Sequence, residues 1–326
     1  MRLRPIVAAT VLAVICAAPA HAADKMKITV SGIFSAFSNY FIAIDRGYFA
    51  EEGIEVEAIQ AGGGTATPAL LSGDVSYSSS ASVAITAILK GAELKIVFAD
   101  NDHVPYQLWS GVADIKTLAN LKDKQVGIEN RGDTHELAVR QTLMLAGLDP
   151  TGVIFTPMQS RAAIVASISS GSLPAASITQ DEIQRMKLIP NAHMLANMQE
   201  IVRTITGGGV FSDAFLKDHH ELAQRFMRAI VKGRRRAIAV PDDVAASVMK
   251  RDSSPTRETV LQAWAEQAPL RTPDGTISAD EQAREISIRS DLLNIAPDKR
   301  RTPAQAFDFS LIREANAQLD KEGWKP

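Results

Sequence analysis

The chain has 326 residues, 35 Lys+Arg against 37 Asp+Glu and a hydrophobic share of 46%. That is enough apolar material for one large core or two medium ones, and it excludes a disordered, collagen-like or coiled-coil chain. A net charge of −2 gives no general attraction to nucleic acid or to an anionic membrane surface, so any partner is recognised locally. The one cysteine, Cys16, falls in the first apolar stretch. The rest of the chain therefore has no disulfide, thiolate nucleophile or cysteine-ligated metal.

Arg2 and Arg4 precede an apolar run from Ile6 to Ala18, and Ala20-His21-Ala22 follows. This is the pattern of a secretory signal over residues 1–22, with cleavage expected after Ala22. Ile15 stands where a lipoprotein needs a small residue before its modified cysteine. The run is shorter than the roughly 20 residues of a spanning helix, and none like it follows, so no direct membrane insertion is expected. Loss of Arg2 and Arg4 leaves 33 basic and 37 acidic groups, a net charge of −4. An exported, cysteine-free chain suits the bacterial periplasm, where cytosolic ATP and NAD(P)H do not drive chemistry.

From Lys25 to Ala99, β-rich runs alternate with helical ones. Lys27-Ile28-Thr29-Val30 predicts a strand, Asn39 to Phe49 a helix, Ile54-Glu55-Val56-Glu57 a strand and Thr65 to Leu71 a helix. Val75-Ser76-Tyr77, Ser82 to Leu89 and Leu94 to Phe98 continue the order as strand, helix and strand. It restarts after Lys116: Gln125 to Ile128, a helix from Asp133 to Ala146 closed by Gly147, Val153 to Phe155, a helix around Ala162 to Ser169, and Ala175 to Ile178. Two α/β units with mostly parallel sheets are implied, because single cores seldom outgrow ~250 residues. From Asp213 the pattern is helical, over 223–239, 242–250, 256–268, 278–293 and 303–319, with a capping box at Ser278 and Glu281.

Enzyme signatures are absent. Gly62-Gly63-Gly64-Thr65 feeds a helix without the Lys-Ser/Thr pair of a phosphate loop, and no G-x-S-x-G or H-E-x-x-H occurs. No metal site and no cofactor is expected. His219-His220 reads as a helix start, and the basic run Lys232 to Arg236 as a solvated helix face, with partner docking as the alternative. Four junctions are rich in small polar residues: Ser35 to Tyr40, Gly62 to Thr65, Ser78 to Ser82 and Arg131 to His135. Each falls after a predicted strand and at or before a helix start, at the carboxyl ends of strands where open α/β sheets bind ligands. Unpaired N–H groups of a first helical turn stabilise an anion or polar head group there. Each junction taken singly also reads as a simple helix cap.

These residues carry a family resemblance. Asp45-Arg46-Gly47-Tyr48-Phe49-Ala50-Glu51-Glu52-Gly53-Ile54-Glu55-Val56 resembles a signature of the type II periplasmic solute-binding proteins of ABC importers, of the nitrate/sulfonate/taurine and thiamine-pyrimidine-precursor kind. Gly62 to Ala66 with Ala69 to Val75, Leu118 to Gly127, Gly132-Asp133-Thr134-His135, Ala146 to Pro150 and Phe307-Asp308-Phe309-Ser310 are similar to further segments of that family. The likeness runs from about Ile28 to Leu319. Gly171 to Ala176 lacks the family's usual acidic residue, and Thr179-Gln180-Asp181-Glu182 replaces a turn that commonly touches the ligand.

The resemblance implies two doubly wound α/β lobes joined by crossover strands, with the ligand cleft between them and a helical C-terminal return on the first lobe. Lobe 1 is expected over 23–103 plus 213–326 and lobe 2 over 104–212, with crossings at Tyr106 to Trp109 and Arg203 to Thr206. It implies no enzyme but a monomeric binding component that captures a small organic solute by lobe closure and delivers it to a permease with a cytosolic ATPase. The junctions favour an anion, a sulfonate or an aromatic carboxylate. Expected ligand contacts are Asn39 and Tyr40, Gly64 and Thr65, Ser80 and Ser82, Thr134 and His135, and Asp181 in the divergent turn. His103, Arg131 and Arg161 are candidate counter-charges, and Tyr40 can stack on a planar ligand or belong to the core. A pyrimidine-precursor-synthase-like enzyme and a ligand-sensing subunit of a membrane receptor are the alternatives.

Overall fold

A computed structural model describes residues 22–129, 131, 133–179 and 182–326. The expected signal, apart from Ala22, lies outside the described residues, as does Asp181. In chain order the first unit runs β1 (Asp24–Val30), α1 (Ser38–Asp45), α2 (Tyr48–Glu51), β2 (Ile54–Gln60), α3 (Gly63–Ser72), β3 (Tyr77–Ser78), α4 (Ala81–Leu89) and β4 (Leu94–His103). The second runs β5 (Tyr106–Ser110), β6 (Gln125–Ile128), α5 (Thr134–Leu145), β7 (Ile154–Pro157), α6 (Arg161–Ser169), β8 (Ala175–Thr179), α7 (Ile183–Met186), β9 (His193–Ala196) and α8 (Met198–Ile201). The return holds β10 (Arg203–Ser212), α9 (Asp213–Asp218), α10 (His220–Ala239), α11 (Pro241–Met249), α12 (Arg257–Glu266), α13 (Ala279–Leu292), α14 (Pro303–Ala306) and α15 (Ser310–Lys321).

Among the described residues the strands make two five-stranded sheets, ordered β2-β1-β3-β10-β4 and β7-β6-β8-β5-β9. In the first, β1 runs parallel to β2 and β3, whereas β10 is antiparallel to β3 and β4. In the second, β6 is parallel to β7 and β8, and β5 is antiparallel to β8 and β9. Each sheet thus takes one antiparallel strand into a parallel set, and each has its own core. Ile28, Tyr77, Phe98, Phe211 and Phe226 fill the first. The second sheet is covered on both faces, by a cluster with Leu108, Val126 and Leu143 and by another with Trp109, Ile164 and Ile178. Each large side chain so buried stabilises by about 1.5–3 kcal/mol.

Several expectations are corrected. First, the whole of Arg203–Ser212 pairs in the first sheet, so that lobe begins its return at 203 rather than 213, and the second ends near Val202. The chain crosses just before β5 and just before β10, and the two crossings touch: Arg203 pairs with His103, and Thr206 Oγ1 donates to the His103 carbonyl at 2.8 Å. Second, the helix expected over 303–319 is interrupted because Phe307 forms a bridge with Ile96 and Asp308 N donates to the Ile96 carbonyl at 2.9 Å. Asp308 then accepts from Ser310 N at 3.0 Å and starts α15. The helix expected over 39–49 likewise breaks at Gly47, whose φ of +75° suits glycine.

Third, the basic run on α10 is not a solvated face. Lys232, its side chain 6% exposed, donates to Glu51 at 2.9 Å and to Glu52 at 2.7 Å. Arg234 meets Asp100 at 2.8 Å and Arg236 meets Asp243 at 2.6 Å. Their stems cover apolar surface while the heads find carboxylates on α2, β4 and α11. Gly233 lies in the same run for a steric reason: a Cβ there would sit 2.2 Å from the Asn39 carbonyl oxygen, so its absence lets α1 rest against α10.

Candidate functional site

Phe34 follows the carboxyl end of β1 and Arg161 follows that of β7, and the two side chains meet across the lobes. The Arg161 guanidinium carbon stands 5.5 Å from the centre of the Phe34 ring. The carboxyl edges of the two sheets therefore face one another, with the crossings near His103 and Arg203 as the floor between them.

On the first lobe this edge carries a knot of serines. Ser31 N donates to Ser79 Oγ at 2.9 Å, and Ser31 Oγ lies 2.8 Å from Ser80 Oγ. Ser80 precedes α4 but makes no side-chain cap, because its hydroxyl is engaged with Ser31. The Ser82 carbonyl accepts from Arg289 at 3.1 Å. Asn39, in the first turn of α1, is 2% exposed, and neither amide atom has a partner. Gly64 and Thr65 lie beyond the edge strand β2; Thr65 is exposed and donates to the Gly62 carbonyl at 3.1 Å. Tyr40 is in the core, its hydroxyl 3.0 Å from that of Tyr77, and burial first, then Tyr77, push its pKa up.

The second lobe presents a tighter group. Asp133 caps α5 by accepting from Glu136 N at 3.0 Å, which sets Thr134 and His135 at the helix start. The His135 ring stacks on Tyr106 with centroids 3.9 Å apart, and its Nδ1 lies 2.9 Å from Ser177 Oγ. Its Nε2 stands 3.6 Å from Glu129, which also lies 3.8 Å from Arg161 Nε. The imidazole and the guanidinium, in that order of effect, hold Glu129 below its ordinary pKa despite burial. Burial pushes the Tyr106 hydroxyl up, with Asp133 adding to it and Arg161 and the Thr134 side chain opposing. Ser177 is fully buried, so the Ser177–His135 pair orients the ring and offers no accessible nucleophile.

The structure thus gathers Thr134, His135, Glu129, Tyr106 and Arg161 on one wall, facing Phe34 and, along the opposite edge, the serine knot. Arg131 is exposed and donates to the Phe155 carbonyl at 3.1 Å. His103 sits on the crossing with Nδ1 2.6 Å from Asp102. Sequence reasoning missed Ser31, Phe34, Tyr106 as a site residue, and Glu129; the position of Glu129 directly after the strand at 125–128 was the available signal. On the flank, a cavity of about 560 Å³ opens between the lobes, with Thr86, Lys90 and Leu293 on one side and Leu137, Arg140 and Met144 on the other. Among the described residues no cluster of His, Cys, Asp and Glu could hold a metal ion, and no helix is long and apolar enough to cross a membrane.

Two sheets of these orders, doubly crossed and facing at their carboxyl edges, define a periplasmic-binding-protein fold. Residues 35–244 match the family described as NMT1/THI5 like, and the chain belongs to it. No curated protein sequence matches it. Among solved structures, one of a Bordetella bronchiseptica RB50 protein aligns with TM-score 0.72 at 22% identity, over 91% of this chain and 98% of that one. The periplasmic aliphatic sulphonate binding protein SsuA of Escherichia coli aligns with TM-score 0.69 at 16% identity, over 87% and 91%. The periplasmic nitrate-binding protein NrtA of Synechocystis PCC 6803 gives 0.68 at 14%, over 93% and 90%. These likenesses concern the fold.

Proposed function

We propose that the chain is the periplasmic substrate-binding component of an ABC importer. It captures a small organic anion, a sulfonate or a carboxylate, between its lobes and delivers it unaltered to a membrane permease with a cytosolic ATPase. The observation that carries this reading is the meeting of Phe34 and Arg161 from opposite lobes; the buried, unpartnered Asn39 amide in the first turn of α1 supports it. A solute that touches both walls stabilises the closed arrangement by the difference between its affinities for the two states. The buried polar atoms lose water on closure and regain hydrogen bonds from the guest.

Thermal melting of the chain from Ala23 onward, against sulfonates, aromatic and aliphatic carboxylates, nitrate and pyrimidines, tests this. A true ligand at 100 times its dissociation constant adds about 2.7 kcal/mol of stability, and is recovered chemically unchanged. Conversion of the bound compound by the purified protein would refute the proposal.

A further inference from the structure

Asn101, near the end of β4, forms a bridge with Arg271, in the stretch between α12 and α13. The Arg271 guanidinium lies on the indole of Trp264, its carbon 3.4 Å from the ring centre, and Nη2 donates to the Trp264 carbonyl at 2.6 Å. No carboxylate answers this cation: Arg271 enters no ion pair among the described residues. Asp100, the acid that bears on it, is already held by Arg234 Nε at 2.8 Å, and Arg234 is held in turn by the Thr272 and Pro273 carbonyls. Burial, with Arg234 adding to it, brings Arg271 down from the ordinary arginine value to about 10 although Asp100 opposes. Beside it, Asn101 is 7% exposed with Oδ1 unpartnered. The paired position on β10 is Gly207, where a Cβ would stand 3.3 Å from Asn101 Nδ2.

A partly buried guanidinium with no carboxylate partner is under-compensated, because the desolvation of a charge is repaid only by a well-placed opposite charge. Its planar fork matches a carboxylate or sulfonate edge, and an aromatic platform fixes the fork's orientation beforehand. These groups stand at the carboxyl end of β4, where the chain runs into the crossing to the second lobe. We propose that Arg271, laid flat on Trp264, holds the acid group of the captured solute and makes the site select an anion over its uncharged isostere. The inference rests on the capture reading above and assigns the charge recognition within it.

The test compares benzoate and ethanesulfonate with benzamide, ethanesulfonamide and cytosine, by calorimetry on the chain from Ala23 onward and on Arg271→Gln. One of the two acids binds the unmodified protein and its amide does not. R271Q keeps the apo melting point within a few degrees and binds that acid about 10- to 100-fold more weakly. Should R271Q fail to fold, Arg271→Lys keeps the positive charge but not the fork, and weakens the acid about 10-fold. An acid bound equally by the protein and by either variant overturns the assignment while capture stands. So does binding of an amide or cytosine where neither acid binds. If none of the five binds, the assignment and capture of a small organic anion fall together.

Discussion

Phe34 and Arg161 touch across the cleft, one from each lobe, with the guanidinium carbon 5.5 Å from the ring centre. The Phe34 ring also lies over Gly32, where a Cβ would come within 2.1 Å of it, so the glycine lets the aromatic fold down at the mouth. A cation over a partly exposed ring contributes about 0.5–1 kcal/mol. Phe34→Ala is therefore expected to weaken the best anion of the panel about 2- to 5-fold by calorimetry, with the apo melting point nearly unchanged. Unaltered affinity would show that the contact does not favour the closed arrangement.

The Asp100–Arg234 pair joins β4 to α10 with both side chains under 10% exposed. Removing one partner of a buried pair strands the other charge and costs about 3–5 kcal/mol. Asp100→Leu should lower the stability read from urea unfolding by that amount, whereas Asp242→Ala, which breaks the exposed Arg257–Asp242 pair, should change it by less than about 1 kcal/mol. Equal losses would contradict the distinction between the two pairs.

Gly233 lets α1 approach α10, and a Cβ there would lie 2.2 Å from the Asn39 carbonyl. Gly233→Ala forces backbone apart and is expected to destabilise by about 1–3 kcal/mol. Because α1 carries Asn39, it should also weaken ligand binding, whereas Gly64→Ala, which meets nothing within 4 Å, should leave the fold intact.

Asp45 accepts from Arg251, Lys250 and Ser247 at 2.6, 2.7 and 2.9 Å. Burial by itself raises its pKa, but these donors reverse that and bring it from 3.8 to about 2. A folded pKa below the unfolded one means stability present above about pH 4 and lost as pH falls toward 2, worth about 1 kcal/mol after solvent screening. Urea unfolding of Asp45→Asn should fall below the unmodified chain at pH 6, and the two should converge near pH 2. A gap that persists at pH 2 would show that the loss does not come from the carboxylate's charge.

The alternating runs were legible because strand and helix periods differ, whereas Tyr106 to Trp109 and Arg203 to Thr206, expected as crossings, lie inside β5 and β10, and the chain crosses just before each. Arg203 to Thr206 reads as a crossing because it is a β-branched stretch near a change of composition, and the three glycines that follow, Gly207 to Gly209, weaken the strand pattern that would have extended it into β10. They are there for fit, since a Cβ at Gly209 would strike the Tyr77 hydroxyl at 1.6 Å and one at Gly208 the Phe98 carbonyl at 2.1 Å. Local pattern could place Tyr40 at a junction but not decide which face of α1 it takes, and the partner that draws it inward, Tyr77, comes from another strand. Arg271 carries no motif; only the fold brings Trp264 and Asn101 to it. The basic run on α10 reads as solvated because the carboxylates of Lys232 and Arg234, Glu51, Glu52 and Asp100, come from distant segments.

Capture requires the two lobes to close on a guest. The chain after residue 22 contains no cysteine, so Leu71→Cys and Leu188→Cys, at positions 50% and 83% exposed on opposite lobes, accept spin labels uniquely. Distance distributions should shift to one narrow population when the calorimetrically identified anion is bound. An unchanged distribution at full occupancy would contradict capture by closure.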